Sequence, residues 1–362
     1  MHIRRFAVAA LTCCLVVTAA AAQKKKKEVT QTLQLPADLP AATTGETRHL
    51  AFHVTPLSAK GLLSQQVRDA LRALFRETGH DPVLHLRAFV AGSGDLRRVR
   101  DLVSDTFTDR KQSLPALSLI QAGGLPLEGA QIVLEAVSAE KREGNPQGLI
   151  YLPAPVFTAE NPLEPAAPLA ARSLAQLQAN LAAAGGNPAS VLRVTCFLST
   201  LEGIDATRQA VAAAFPGAAA DFVQTQRAPV RATGACEAVA RLTRAAAGPL
   251  EFVPAQGEPK AALISAAQVV LSGTQASFGY QEADSRLAFD RLLKSLEAAG
   301  VSRAGIALAQ YYSLADPISA QIRRIAPAVF GNPASSILLF EGLPSMDTGF
   351  AADVVAVKSN PR

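Results

Sequence analysis

The sequence contains no tryptophan, and only 5% of its 362 residues are aromatic. Surfaces that bind nucleic acids by base stacking need aromatic side chains, so this class of site is not expected. The body of the chain also lacks excess charge. When Arg4, Arg5 and the lysines at 24–27 are set aside, the 35 basic residues fall by six to 29, against 30 acidic residues. A nearly neutral body argues against DNA or RNA as a partner.

Long hydrophobic runs are confined to the amino terminus. Arg4 and Arg5 precede an apolar stretch at residues 6–22 that ends in a run of alanines, the pattern of an export signal. The stretch is short for a membrane span, which needs about 20 residues. We predict a signal peptide at 1–22 cleaved near Ala22, a basic and flexible linker at 23–46, and a periplasmic or secreted protein without a stable membrane span. An uncleaved anchor is the alternative, because lysines directly follow the predicted cleavage site.

Cysteine is scarce as well, since the body holds only Cys196 and Cys236. Both lie in apolar runs that are typical of strands, where a buried free thiol is the commoner state. An oxidising compartment would also allow the two to pair. The sequence leaves both states open and favours free thiols.

The body does contain one pattern three times. Each third begins with an apolar strand, continues with a helix of three- and four-residue apolar spacing, and adds a strand, a second helix and two strands around an X-Pro turn. The first helices end at Gly79, Gly185 and Gly300, and glycine is a common residue after a helix. The pattern predicts an α+β architecture of three β-α-β-α-β-β domains, at residues 47–140, 147–246 and 260–358.

Aromatic residues align the three copies. In the central strands we predict that Phe89, Phe197 and Tyr311 are equivalent. The second helices close on phenylalanine, and the X-Pro turns follow. These positions are Phe107, Phe215 and Phe330 for the helices, and Pro126, Pro229 and Pro344 for the turns.

Three features of this unit resemble the RidA/YjgF family: the order of elements, the strand at 191–199 with the closing strand-Leu-Pro-strand, and the pair Ser272-Gly273. Members of the family have a chorismate-mutase-like fold, form homotrimers with ligand clefts between subunits, and hydrolyse enamines and imines such as 2-aminoacrylate. The resemblance implies three RidA-like domains that form an intramolecular pseudo-trimer. Independent domains on a string are the alternative, which the short linkers disfavour.

The resemblance also locates the catalytic positions. The family's arginine, which binds the substrate carboxylate, stands nine residues before the turn proline, at the positions of Leu117, Ala220 and Ser335. The first of two alternating glutamates falls at Val133, Ala235 and Ala351. The second is retained as Glu135, Glu237 and Asp353. No copy therefore keeps the guanidinium or the first carboxylate, and we expect no arginine beside an acidic group in a crevice between copies.

Few residues remain as candidates for ligand binding. Ser272 and Ser335 offer hydroxyl groups, although both suit local turns equally well. Arg227 could replace the lost arginine, but a strand-end charge in solvent is the simpler interpretation. The charged residues of the second helices, Asp205, Arg208 and Arg323, are interpreted as surface charges.

Other chemistries find little support in the sequence. His49, His53 and His85 could share a metal ion, but no nearby cysteine or carboxylate completes a ligand set, so we expect no metal. No phosphate-binding loop, dinucleotide fingerprint or nucleophile elbow is present, and no cofactor is expected.

The sequence thus predicts an exported RidA-like protein with degenerate deaminase sites. It would be monomeric and would bind a small metabolite or a protein partner in clefts between the repeats. One alternative is an enamine or imine deaminase that uses a remodelled cleft. A second is a structural module of the cell envelope.

Overall fold

The computed structural model describes residues 35–227 and 231–358, and the predicted signal peptide lies outside them. The secondary structure is a mixture of helices and sheets, so the predicted α+β class is confirmed. The helices are α1 Leu63–Thr78, α2 Leu96–Asp109, α3 Ala166–Ala183, α4 Ile204–Ala214, α5 Glu282–Ala298 and α6 Asp316–Phe330. None of the helices in the described part of the chain combines the length and the apolar character that a membrane crossing requires.

Among the described residues, three sheets are built from seventeen strands. They are β1 Ala42–Glu46, β2 Leu50–Val54, β3 Val83–Ala91, β4 Ala116–Ala122, β5 Ile132–Ala139, β6 Leu149–Leu152, β7 Val156–Thr158, β8 Val191–Leu198, β9 Ala219–Gln224, β10 Thr233–Arg241, β11 Leu250–Val253, β12 Ala261–Ile264, β13 Gln268–Ser272, β14 Gln275–Phe278, β15 Ile306–Ser313, β16 Ala334–Leu339 and β17 Thr348–Val357. We call β2–β5 with α1 and α2 the first unit, β6–β10 with α3 and α4 the second unit, and β13–β17 with α5 and α6 the third unit.

Each unit has the same pairing in its sheet. The strand between the two helices pairs in parallel with the strand after the second helix, and antiparallel with the last strand.

Two helices cover one face of each sheet. In α1 the buried residues Val67, Leu71 and Leu74 recur at three- and four-residue spacing, which places them on one side of the helix. Gly79 ends this helix with a positive φ of 62°, and its N–H donates to the carbonyl of Phe75.

Three strands, β1, β11 and β12, join the sheet of a unit other than the one that follows them in the chain, and β11 does so through β12. β1 precedes the first unit but pairs antiparallel with β13 of the third sheet. β12 precedes the third unit but pairs antiparallel with β6 of the second sheet. The prediction of a flexible linker up to residue 46 is therefore wrong for β1, because its backbone hydrogen bonds fix it to the edge of a sheet.

The sheet faces turned away from the helices form two apolar cores shared by all three units. One core contains Phe89, Phe197 and Phe340, and the other contains Val137, Val239 and Leu271. Along β5, Val133 lies in the first core and Val137 in the second. Glu135 is on the same strand face between them, because alternate residues of a strand point the same way. A polar layer therefore separates the two inner cores.

The register of the third sheet corrects one predicted equivalence. Tyr312 lies opposite Ala351, as Phe89 lies opposite Val133 and Phe197 opposite Ala235. Tyr311 instead packs in the core between the third sheet and its helices. A shift by one residue moves a side chain to the other face of a strand, so Tyr312 is the equivalent residue.

The two body cysteines form a disulfide bond. Cys196 on β8 and Cys236 on β10 are direct cross-strand partners, with Cα atoms 4.1 Å apart. The favoured prediction of free thiols is wrong, because the antiparallel register places the two side chains side by side on one face.

Candidate functional site

A buried guanidinium joins the first and second units in the polar layer. The side chain of Arg87 on β3 is fully buried, and its Nε donates to Glu135 Oε2 at 2.6 Å. Its Nη2 donates to Glu237 Oε1 at 2.5 Å and to Thr195 Oγ1 at 3.2 Å. Glu237 and Thr195 belong to the second unit, so this one side chain connects two sheets. The expectation that no arginine lies beside an acidic group between the copies is wrong.

The third unit contributes amide and carboxyl groups to the same layer. Gln310 Nε2 donates to Glu237 Oε2 at 2.6 Å. Asp353 Oδ2 accepts from Ser118 Oγ and, at 2.9 Å, from Tyr312 Oη. The positions predicted for the family's second glutamate thus meet at the centre of the molecule. There they hold the sheets together and are closed to an organic ligand.

Arg193 adds a second positive charge. Its guanidinium nitrogens lie 3.4 Å from Glu135 and 3.6 Å from Glu237. Burial alone would raise the pKa of Glu135, but Arg193 and Arg87, with the hydrogen bond from Thr195, hold it below its usual value. Burial, aided by both arginines, lowers the pKa of His85 to about 3. Glu135 therefore stays ionised beside the two arginines.

Two aspartates in this layer behave differently. Burial, together with the charge of Glu135, raises the pKa of Asp221 to about 7. Burial raises the pKa of Asp353 to about 6, although Ser118 donates a hydrogen bond to it. Asp221 Oδ1 accepts from the N–H of Phe222, and no donor among the described residues reaches Oδ2. Loss of the proton from either aspartate therefore adds a negative charge to the buried layer.

We expect Asp221→Asn to stabilise the protein more at pH 8 than at pH 5. A folded-state pKa near 7 means that the native protein keeps a proton that the unfolded chain releases above about pH 4, so the free energy of unfolding falls as the pH rises to 7. Asparagine has no proton to release in this pH range. The free energy of unfolding of the variant, relative to that of the wild type, should therefore rise by about 2–3 kcal/mol between pH 5 and pH 8. Asp353 acts in the same direction up to pH 6, and His85 acts in the opposite direction between about pH 3 and 6.5.

Urea unfolding of the wild type and of Asp221→Asn at pH 5 and pH 8 measures the difference in their free energies of unfolding. The contributions of Asp353 and His85 cancel in this difference, because both proteins contain these residues. The exposed Asp205→Asn variant is the control, with an expected change below about 0.5 kcal/mol. An equal effect of Asp221→Asn at both pH values would contradict the prediction.

Ser272 lies beside this polar layer. Its Oγ accepts a hydrogen bond from the N–H of Val354 at 2.9 Å, and it lines a cavity of about 20 Å³ together with Arg87, Arg193 and Tyr151. A cavity of this size has room for one water molecule. The cavity that Ser272 lines is therefore too small for an organic ligand.

The three positions of the family's arginine have different surroundings. Leu117 is buried, and its carbonyl accepts from the N–H of Thr274 in the third unit at 3.2 Å. Gly273 lies so close that a Cβ atom there would come within 2.7 Å of the Leu117 carbonyl oxygen. Ala220 is exposed at the start of β9. Only Ser335, at the start of β16, faces a large cleft among the described residues.

The positions of the family's first glutamate lie elsewhere. Val133, Ala235 and Ala351 are all buried in the apolar core that contains Phe89 and Phe197. None of them can accept a proton, and none lines the cleft at Ser335. These three positions are therefore separate from the cleft at Ser335, which stands where the family has its arginine.

Arg227 does not enter that cleft either. Its side chain is 56% exposed, and its Nε donates to the carbonyl of Gly123 at 2.9 Å. Its backbone N–H donates to Glu341 Oε1 at 2.6 Å. The structure therefore does not bring Ser272, Ser335 and Arg227 together.

The three histidines of the hypothetical metal site have separate partners. His49 Nδ1 lies 2.9 Å from the carbonyl of Glu140, and His53 Nε2 lies 2.8 Å from Ser138 Oγ. His85 Nε2 lies 3.1 Å from Ser118 Oγ. Each ring is thus oriented by a different neighbour.

The cleft at Ser335 has a volume of about 740 Å³ and opens between the second and third units. One wall comes from β7 and α3, and the other from α6 and β16. Apolar and proline side chains supply much of the lining: Pro153, Pro155, Val156, Phe157, Tyr311, Ile322, Pro327, Pro333 and Ile337. Its volume is in the range of small-molecule sites.

Charged groups lie at the rim of this cleft. Lys260 Nζ is 2.8 Å from Glu258 Oε2, so these two charges neutralise each other. Arg323 on α6 also lines the cleft, and it forms no ion pair with any described residue. The interpretation of Arg323 as a plain surface charge is incomplete, because α6 turns this residue toward the second unit.

The chain is similar to solved structures of RidA/YjgF proteins. A member of the YjgF/YER057c/UK114 family from Mycobacterium tuberculosis is 18% identical, with 25% of this chain and 78% of that chain covered, and a TM-score of 0.24. A Rid family protein of unknown function from Yersinia pestis is 18% identical, with 25% and 79% covered and a TM-score of 0.23.

A YjgF protein from Neisseria meningitidis is 13% identical, with 28% and 86% covered and a TM-score of 0.24. These matches are to the family that the sequence motifs resemble. No family model and no curated protein matches the chain.

Sequence reasoning named the carboxyl groups of the polar layer at Glu135, Glu237 and Asp353, but it missed the two arginines that lie beside them. Arg87 and Arg193 stand in mostly apolar strands, and each shares a strand face with an inner-core phenylalanine, Phe89 or Phe197. Charged residues at such positions are almost never buried unless paired. An arginine on the same strand face as apolar core residues was therefore the signal that could have identified Arg87 and Arg193.

Proposed function

We propose that this protein binds an organic ligand without hydrolysing it, in the cleft between the second and third units. The observation that carries the proposal is the cleft itself, which opens at Ser335, where the family has its substrate-binding arginine. A serine hydroxyl can donate a hydrogen bond to a ligand, but it cannot form a bidentate pair with a carboxylate. The first-glutamate position of the same unit, Ala351, is apolar and buried.

We further propose that the three units form an intramolecular pseudo-trimer. The exchange of β1 and β12 between sheets supports this arrangement, because each exchanged strand ties two units through backbone hydrogen bonds. The charges around Arg87 support it as well. Their partners come from two units, and a buried ion pair is costly to open. A single chain can carry different residues at the three equivalent positions, namely Arg87, Thr195 and Gln310.

Export is the third part of the proposal. The disulfide between Cys196 and Cys236 supports a periplasmic or secreted protein, because structural disulfides persist in oxidising compartments and are rare in the cytosol. This agrees with the amino-terminal pattern of residues 1–22.

A matched pair of tryptophan variants tests the location of the binding site. Ser335→Trp places a large side chain in the cleft, and Ala220→Trp places the same side chain at the equivalent, exposed position of the second unit. We expect ligands found in a metabolite and peptide thermal-shift screen to raise the melting temperature of the wild type and of Ala220→Trp. The same ligands should leave the melting temperature of Ser335→Trp unchanged.

Two outcomes would contradict the proposal. One is a ligand that stabilises Ser335→Trp as much as the wild type. The other is ammonia release from an enamine that is faster with the wild type than without any protein, which would favour the alternative of a remodelled deaminase.

A further inference from the structure

The segment before β1 lies between the first and third units, and we call residues 36–41 the strap. Ser104 Oγ on α2 donates to the carbonyl of Ala37 at 2.6 Å, and Arg100 Nη2 on α2 lies 3.1 Å from Asp38 Oδ1. Leu39 packs against the apolar core of the first unit. The carbonyl of Ala41 accepts from the N–H of Gly273 in the third unit at 2.9 Å. The strap therefore bridges two units.

The arginine that holds the strap occurs in every unit. Arg100, Arg208 and Arg323 each stand seven positions before the phenylalanine that closes the second helix. Arg100 binds Asp38 of the strap, and Arg208 binds Asp205 and the carbonyl of Pro126. Arg323 is the member of this set that forms no ion pair with a described residue. It lines the open cleft, and Pro327, the equivalent of Ser104, lines it too.

The chain explains why this cleft is open. Thr43 pairs with Leu271, and Ala262 pairs with Tyr151, so β1 and β12 occupy equivalent places on neighbouring sheets. Counting back from these residues makes Pro40 equivalent to Pro259 and Asp38 equivalent to Gly257. Glycine has no carboxylate for Arg323. Gly257 lies in the hairpin of β11 and β12, where its carbonyl accepts from Asn332 Nδ2 just after α6, and residues 255–257 do not line the cleft as the described residues form it.

We propose that the open cleft binds an extended acidic peptide of another protein, in the way that the first unit binds the strap. An aspartate or glutamate of this peptide pairs with Arg323, as Asp38 pairs with Arg100. The proline and aromatic side chains of the cleft suit an extended, proline-flanked segment like the strap. The inference rests on the proposed function, since it names the ligand of the same cleft.

A fluorescently labelled peptide with blocked termini and the sequence of residues 35–41 tests this proposal by anisotropy titration of the full protein. We expect binding to the wild type, and binding about 3- to 5-fold weaker when asparagine replaces the aspartate, as for an exposed ion pair. Arg323→Gln should weaken binding of the aspartate peptide by the same factor. This variant should therefore bind the aspartate and asparagine peptides equally well. The matched Arg208→Gln variant should change neither affinity, because Arg208 lies on the equivalent helix outside the cleft.

Other results would overturn the inference. Equal binding of the aspartate and asparagine peptides would exclude the Arg323 pair. If the peptide fails to bind while a small molecule stabilises the wild type but not Ser335→Trp, the peptide inference fails and the proposed function stands. If neither binds, both fail.

Discussion

Replacing Arg87 with methionine should lower the free energy of unfolding by about 3–5 kcal/mol. The variant leaves the carboxylates of Glu135 and Glu237 in the buried layer with only Arg193 to balance them, at distances of 3.4 and 3.6 Å. Removing one partner of a buried ion pair costs this much because the remaining charge stays desolvated. Methionine has similar bulk, so a cavity contributes little to the effect. Chemical denaturation at neutral pH measures the change.

Arg72→Met is the matched control for this variant. Arg72 pairs with Asp69 at 2.6 Å, but its side chain is 64% exposed, so the loss should stay below about 1 kcal/mol. An Arg87→Met protein as stable as the Arg72→Met protein would show that the charged layer does not hold the units together.

Loss of the disulfide should have a comparable effect. The double variant Cys196→Ala/Cys236→Ala opens a cross-link between residues separated by 40 positions in the sequence. The chain-entropy relation gives a stabilisation of about 4 kcal/mol for a closed loop of that length. We expect the oxidised wild type to exceed the double variant by about this amount in urea unfolding.

Thiol counting provides the control. The wild type starting at Gln23, denatured without reductant, should expose no thiol that reacts with an alkylating agent, and with reductant it should expose two. Two reactive thiols before reduction would contradict the cross-link and remove its support for an exported protein.

Much of the fold was predictable because it depends on local patterns. The helices α1, α3 and α5 follow from apolar spacing and terminal glycines, and the order of strands and helices repeats three times. The strand exchange of β1 and β12 was not predictable, because the sequence of a short strand does not specify which sheet edge it joins. The predicted flexibility of residues 42–46 failed for this reason.

The candidate site was predictable only in part. Counting from the turn proline located Ser335, which does face a cleft, and Leu117, which does not. The difference arises because Gly273 brings the third unit against the backbone of Leu117. The proposed role of Arg323 needed the structure, because it depends on a neighbouring unit and on the absence of a side chain at Gly257. The preference for free cysteines failed because only the strand register sets Cys196 opposite Cys236.

Binding without hydrolysis is the central claim, and ammonia release from 2-aminoacrylate tests it most directly. The substrate is generated in situ, with the protein starting at Gln23 at a concentration equal to that of the substrate. We predict the same rate of ammonia release with and without the protein, and no difference between the wild type and Ser335→Trp. Faster release by the wild type and by Ala220→Trp, lost in Ser335→Trp, would place a working deaminase in the cleft and contradict the account.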